Sequence, residues 1–185
     1  SATVIIIPTT IFLIFAAKPL FLTLFGEKWL ASVPYFQLIC IANLLNIVYL
    51  INNYALNSVG KSKLSLKVEI IKRCLILISV LLCFSYGVME LMIGYAVSCL
   101  LSWFISLLQV NKTIGLKIGD QLKDIAPIMI WSIIICYLGY LSGLFTENLY
   151  YKLIIQGAVS LSLYIGVISI FYRELWNYVI KFLKM

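Results

Sequence analysis

Apolar residues run along this chain in long blocks, separated by short polar stretches that carry most of the charge. The blocks fall at about residues 4–24, 34–56, 68–86, 91–108, 125–144 and 153–172. Each is close to the ~20 residues that a helix rising ~1.5 Å per residue needs to cross ~30 Å of hydrocarbon. Strands are excluded on physical grounds, because an open sheet in lipid leaves its edge amides and carbonyls unpaired. The pattern predicts an all-α polytopic membrane protein, a six-transmembrane-helix bundle over residues 1–172, followed by a tail at 173–185.

The second block has a pattern within the pattern. Asn43, Asn46, Asn53 and Asn57 recur at separations of three, seven and four, which places them on one narrow face of a helix turning about 100° per residue. Tyr54 lies beside them, whereas Asn52 points away and is expected to serve in packing. The stripe has two readings. It is either the wall of a water-filled cavity, offering donors and acceptors to a polyhydroxyl ligand, or helix–helix glue, with amides bonded across a packed interface. The block ends in the basic run Gly60-Lys61-Ser62-Lys63-Leu64-Ser65-Leu66-Lys67.

Composition agrees with the pattern: 63% of residues are hydrophobic and 11% charged, against roughly 45–50% and 25% in soluble domains. The chain starts at Ser1 with an apolar run, no basic stretch ahead of it and no small-residue cleavage site, so a truncated protein is expected rather than a signal peptide. Charge adds orientation. Lys61, Lys63, Lys67, Lys72, Arg73, Lys112, Lys117, Lys123, Arg173, Lys181 and Lys184 all fall at one set of block ends, which is eleven of the fourteen positive residues. The positive-inside rule makes that side cytoplasmic and places both termini there. Trp29, Tyr150, Tyr151 and Trp176 sit where interfacial aromatic anchors are expected. The basic excess thus signals topology rather than nucleic-acid binding, since no soluble domain interleaves aromatic and basic residues.

Other local features refine this reading. Pro34 suits the first turn of its helix, and Pro8, inside the first block, frees a carbonyl and is expected to bend the helix. In the tail, Arg173, Glu174, Asn177, Lys181 and Lys184 share one helical face opposite Leu175, Trp176, Val179, Phe182 and Leu183. That arrangement suits a helix lying on anionic lipids, though a plainly solvated end fits equally. Residues 111–123 read as a shorter version of the same.

Catalysis has little to stand on. The chain has no His, which removes the common general base and the usual zinc ligand. The five cysteines (Cys40, Cys74, Cys83, Cys99, Cys136) lie inside apolar blocks without a C-x-x-C pair, as small buried apolar residues do. No metal, cofactor or catalytic set is expected. Glu69 and Arg73, spaced i,i+4, can pair along the third helix. Arg73 either snorkels to the headgroups or meets a phosphate in a cavity.

The run Leu24-Phe25-Gly26-Glu27-Lys28-Trp29, followed by Pro34 and a long apolar helix, resembles the F-G-E-x-W segment of bacterial polysaccharide transporters. These are the O-antigen and exopolysaccharide flippases of the multidrug/oligosaccharidyl-lipid/polysaccharide exporter superfamily. The Asn57-Ser58-Val59-Gly60-Lys61 stretch is similar to the basic loop of the same proteins. The resemblance implies a C-terminal lobe of six helices, paired with an N-terminal six-helix lobe, in the bacterial inner membrane. Its implied cargo is an isoprenoid-diphosphate-linked oligosaccharide, flipped by alternating access with Asn43, Asn46, Asn53, Asn57, Tyr54 and Arg73 as substrate-binding candidates. A multidrug exporter of that superfamily is the rival within transport. A non-transporting membrane scaffold or assembly subunit is the rival outside it.

Overall fold

The computed structural model describes residues 3–115, 118–146 and 148–171. The amphipathic tail at 173–185, with Trp176 and its basic residues, lies outside the described residues, as does Lys117. Within them the chain is helical throughout: α1 (Thr3–Leu24), α2 (Val33–Ser58), α3 (Ser62–Cys83), α4 (Val88–Ile114), α5 (Ile118–Ser142) and α6 (Leu149–Phe171). Short 3-10 turns at Glu27–Ser32 and Gly143–Phe145 precede α2 and follow α5. Among the described residues, four segments are long and apolar enough to cross a membrane: Thr3–Leu24, Glu27–Ser58, Val88–Ile114 and Ile125–Ser142. Only 17–28% of each such span is buried inside the protein, so most of its apolar surface faces outward, as lipid-facing helices require. The third expected span differs in composition, because α3 starts at Ser62 and carries Lys63, Lys67, Glu69, Lys72 and Arg73 in its first twelve residues.

Residues 111–123, expected as a separate interfacial helix, are instead divided between two spans. The last turn of α4 runs through Ile114 and stops at Gly115, whose left-handed backbone (φ 75°) caps it, and α5 resumes at Ile118. A residue without Cβ adopts that conformation without the penalty other residues meet.

The chain divides into two compact units, one made of residues 1–33 and 126–185 and the other of 34–125. In the first, α1 remains helical through Pro8 and Pro19. Pro8 has no amide hydrogen for the carbonyl one turn back, that of Val4. The Tyr164 hydroxyl on α6 donates to that freed oxygen and ties α6 to α1. Farther along, Gly139 of α5 and Gly143 of the following 3-10 turn lie so close to Ser160 and Gln156 of α6 that an added Cβ would collide. The buried Gln156 reaches the Tyr140 carbonyl at 3.5 Å.

In the second unit, α2 and α3 form an antiparallel hairpin. Its turn is set by Gly60 (φ 73°): the Gly60 amide bonds the Asn57 carbonyl and the Lys61 amide reaches back to Leu56, both at 3.0 Å. That pair of bonds is a Schellman cap, which needs the left-handed residue glycine supplies. Helices α3 and α4 pack closely through small residues. An added Cβ on Gly94 would lie 2.9 Å from the Cys83 sulfur. Ser98 bonds the Ser79 hydroxyl and the Leu75 carbonyl of α3. Small residues that let two backbones approach are the usual basis of helix association in lipid.

Candidate functional site

Six polar residues of the second unit meet between α2 and α3: Asn46, Tyr49, Asn53, Ser65, Glu69 and Lys72. Three rungs connect the helices in antiparallel register. Lys72 Nζ donates to Asn46 Oδ1, the Tyr49 hydroxyl donates to Glu69 Oε2 at 2.6 Å, and Ser65 Oγ donates to Asn53 Oδ1 at 2.8 Å. The steps of three and four from Asn46 to Tyr49 to Asn53 are matched by the steps from Lys72 to Glu69 to Ser65. Each helix therefore contributes one face, and the two faces meet in order. The rungs are also linked to one another. Asn53 Nδ2 donates to the Tyr49 hydroxyl at 3.3 Å, and the Lys72 ammonium lies 3.9 Å from the centre of the Tyr49 ring. This cation–π contact replaces part of the hydration the lysine loses.

Charge is distributed unevenly over this ladder. Lys72 is 6% exposed and Tyr49 is fully buried, whereas the Arg73 side chain is 72% exposed. Glu69 stands between them, accepting from Tyr49 on one oxygen and from Arg73 on the other, with Nε at 2.9 Å and NH2 at 2.8 Å. Lys72 is ten residues into α3, about 15 Å along it at ~1.5 Å per residue. A charge held that far from the helix start needs partners of this kind, because desolvation without them is costly. Beyond the Lys72 rung α3 continues as Leu75, Ile76, Leu77 and Ile78, so over these residues it offers no polar side chain to extend the ladder.

The residues singled out from sequence separate into two groups. Asn46 and Asn53 are half-buried members of the ladder, and Arg73 touches it only through Glu69. Asn43, one turn past the Asn46 rung, is exposed and makes no hydrogen bond among the described residues. Asn57 and Tyr54 are exposed as well, Asn57 at the hairpin turn and Tyr54 at 68%. Asn52 points elsewhere: it is 1% exposed and donates to Ser106 Oγ of α4 at 3.0 Å, which is the packing role expected of it.

Sequence reasoning missed Tyr49, Ser65 and Lys72 as site residues. Tyr49 looks like one aromatic among many, and Lys72 was counted as a topology charge. The signal was nevertheless present, since Tyr49 completes the stripe at three from Asn46 and four from Asn53, and Ser65, Glu69 and Lys72 repeat that spacing on α3. The ladder presents amide, phenol, carboxylate and ammonium groups in one seam. That set can bind hydroxyls and anions, and among the described residues no group of His, Cys, Asp or Glu is placed to hold a metal ion. Comparison with protein-family models, with curated proteins and with solved structures finds no match to this chain.

Proposed function

We propose that this chain is the C-terminal half of a lipid-linked oligosaccharide flippase. It would move polysaccharide or O-antigen repeat units across the bacterial inner membrane by alternating access, crossing six times with both termini cytoplasmic. The observation that carries this reading is the polar ladder, with its buried Lys72, set in an otherwise apolar helical chain. Ionisable residues at membrane depth are expensive and are kept mainly where they meet cargo, ions or water. One turn past the ladder stands the exposed amide of Asn43, which has no hydrogen-bond partner among the described residues and could accept from or donate to a sugar hydroxyl. The Phe25 to Trp29 run adds the family resemblance. Transport then needs only that the two conformations differ in affinity for cargo, not that any bond be made or broken.

A scaffold role has one specific observation in its favour: Asn46 and Asn53 already use their side chains on Lys72, Ser65 and Tyr49. Binding of an isoprenoid-diphosphate-linked oligosaccharide to the full-length protein separates the two readings. A flippase half binds it, and binding weakens when Asn43 and Lys72 are replaced by Ala and Met. A scaffold shows the same retention with and without those substitutions. In cells, deletion lowers surface polysaccharide if the flippase reading holds, and changes drug tolerance instead if the protein is a multidrug exporter.

A further inference from the structure

We infer that the α2–α3 turn holds a binding site for the phosphate headgroup of an anionic membrane lipid, distinct from the ladder. An open cavity of about 570 Å³ is lined there by Gly60, Lys61, Ser62, Lys63, Lys67 and, from the last turn of α4, Thr113. Its size is within the ~300–1,000 Å³ of small-molecule sites. Lys61, Lys63 and Lys67 are all exposed, and among the described residues none makes an ion pair. Three like charges around one basin repel one another, and Glu69, the one carboxylate of the hairpin, is engaged by Arg73 and Tyr49.

Helix polarity sharpens the conflict. The first turn of α3 contains no acidic residue, although the positive end of a helix favours one. Lys63 lies in that first turn and Lys67 in the next. The amides of Ser62 and Lys63, at the start of the helix, have no intrahelical acceptor. An anion seated in the cavity would meet the three ammonium groups and these amides together, and would remove the repulsion.

Two features favour a lipid over a soluble anion. The helices whose ends form the rim, α2 and α4, are two of the four segments able to span a membrane, so their ends lie at headgroup depth. Val59, Leu66 and Ile70, adjoining the lysines in sequence, are exposed and offer apolar surface for the first carbons of an acyl chain. Basic pockets at the ends of spans recognise phosphorylated headgroups by this combination. The inference rests on the membrane placement of α2 and α4 and not on transport.

The test uses the full chain in phosphatidylcholine nanodiscs titrated with phosphatidylglycerol, read by native mass spectrometry as bound lipid per protein. Inorganic phosphate is titrated separately. The triple variant Lys61→Gln, Lys63→Gln, Lys67→Gln is compared with a control of equal charge, Lys18→Gln, Lys28→Gln, Lys152→Gln. A site here predicts that each lysine removed weakens phosphatidylglycerol binding about five-fold and the triple variant roughly a hundred-fold, with the control unchanged. The single variant Lys63→Gln, checked for unaltered helicity, gives the five-fold step should the triple variant misfold. Equal loss in the control overturns the inference in favour of non-specific charge. Binding of inorganic phosphate as tight as that of the lipid overturns it in favour of a soluble anion.

Discussion

The two seams that α3 forms with its neighbours are built from opposite materials. Against α4 it places Ser79 and Cys83 on Gly94 and Ser98, with the backbones close, Ser79 bonded to Ser98 across the seam, Ser98 also reaching the Gly94 carbonyl at 3.0 Å and Ser102 the Ser98 carbonyl at 2.7 Å. Against α2 it places Ser65, Glu69 and Lys72 on Asn53, Tyr49 and Asn46, joined by long side chains rather than by close backbone approach. The first seam leaves nothing for a ligand to replace. In the second, every group linking the helices is one that a hydroxyl or an anion could also satisfy. Helix association in lipid can be secured by small residues alone, and the buried ammonium on the α2 side is the costlier device, which the proposed binding role would account for.

The comparison can be broken at several points. The largest effect on stability is expected from Gly94→Leu, because the new side chain must displace Cys83 and Ser79 from a seam with no spare room. Overpacking of this kind costs about 1–3 kcal/mol, read as a lower melting temperature in detergent. Next comes Glu69→Ala, which leaves the buried Tyr49 hydroxyl without its acceptor and separates Arg73 from its partner. The expected loss is about 1–3 kcal/mol, and Glu69→Gln recovers part of it by keeping an acceptor for Tyr49. Lys72→Met is expected to change stability by about 1 kcal/mol or less, since lost contacts are offset by a desolvation cost no longer incurred. If the proposed flippase reading holds, it nevertheless weakens binding of the lipid-linked oligosaccharide, and such a divergence between stability and binding would separate a binding seam from glue. Ser98→Ala is the mildest, at about 0.6 kcal/mol, because it removes one small hydroxyl and its bonds to Ser79 and the Leu75 carbonyl without altering the close packing of the seam.

Much of the architecture was legible beforehand because bilayer thickness imposes one length on every crossing element. Blocks such as 4–24 and 91–108 correspond to α1 and α4, with helix ends extending past the apolar core into polar residues. The Glu69–Arg73 pair and the packing role of Asn52 were also legible, the first from i,i+4 spacing and the second from its angle to the stripe. The partners of Asn46 and Asn53 were not. They lie 26 and 12 residues away, and which residue meets which depends on hairpin register, which the Gly60 cap sets. Once that turn is placed, the pairing of Asn46 with Lys72 and Tyr49 with Glu69 follows from geometry. The separate helix expected at 111–123 is not seen for a simpler reason: one glycine in a left-handed conformation is enough to end α4 within that stretch, and α5 already begins at Ile118.

The proposed function requires that water reach the half-buried Asn46 and Asn53 on the α2–α3 side, whereas Asn52, 1% exposed against α4, is expected to stay protected. Cysteine labelling tests it most directly, with single cysteines placed at Asn46, Asn53 and Asn52 in a chain whose five native cysteines are replaced by Ala, and a membrane-impermeant thiol reagent applied to both faces of reconstituted vesicles. The account predicts labelling at positions 46 and 53 and protection at 52. Equal protection at all three positions would contradict it and reduce the ladder to packing.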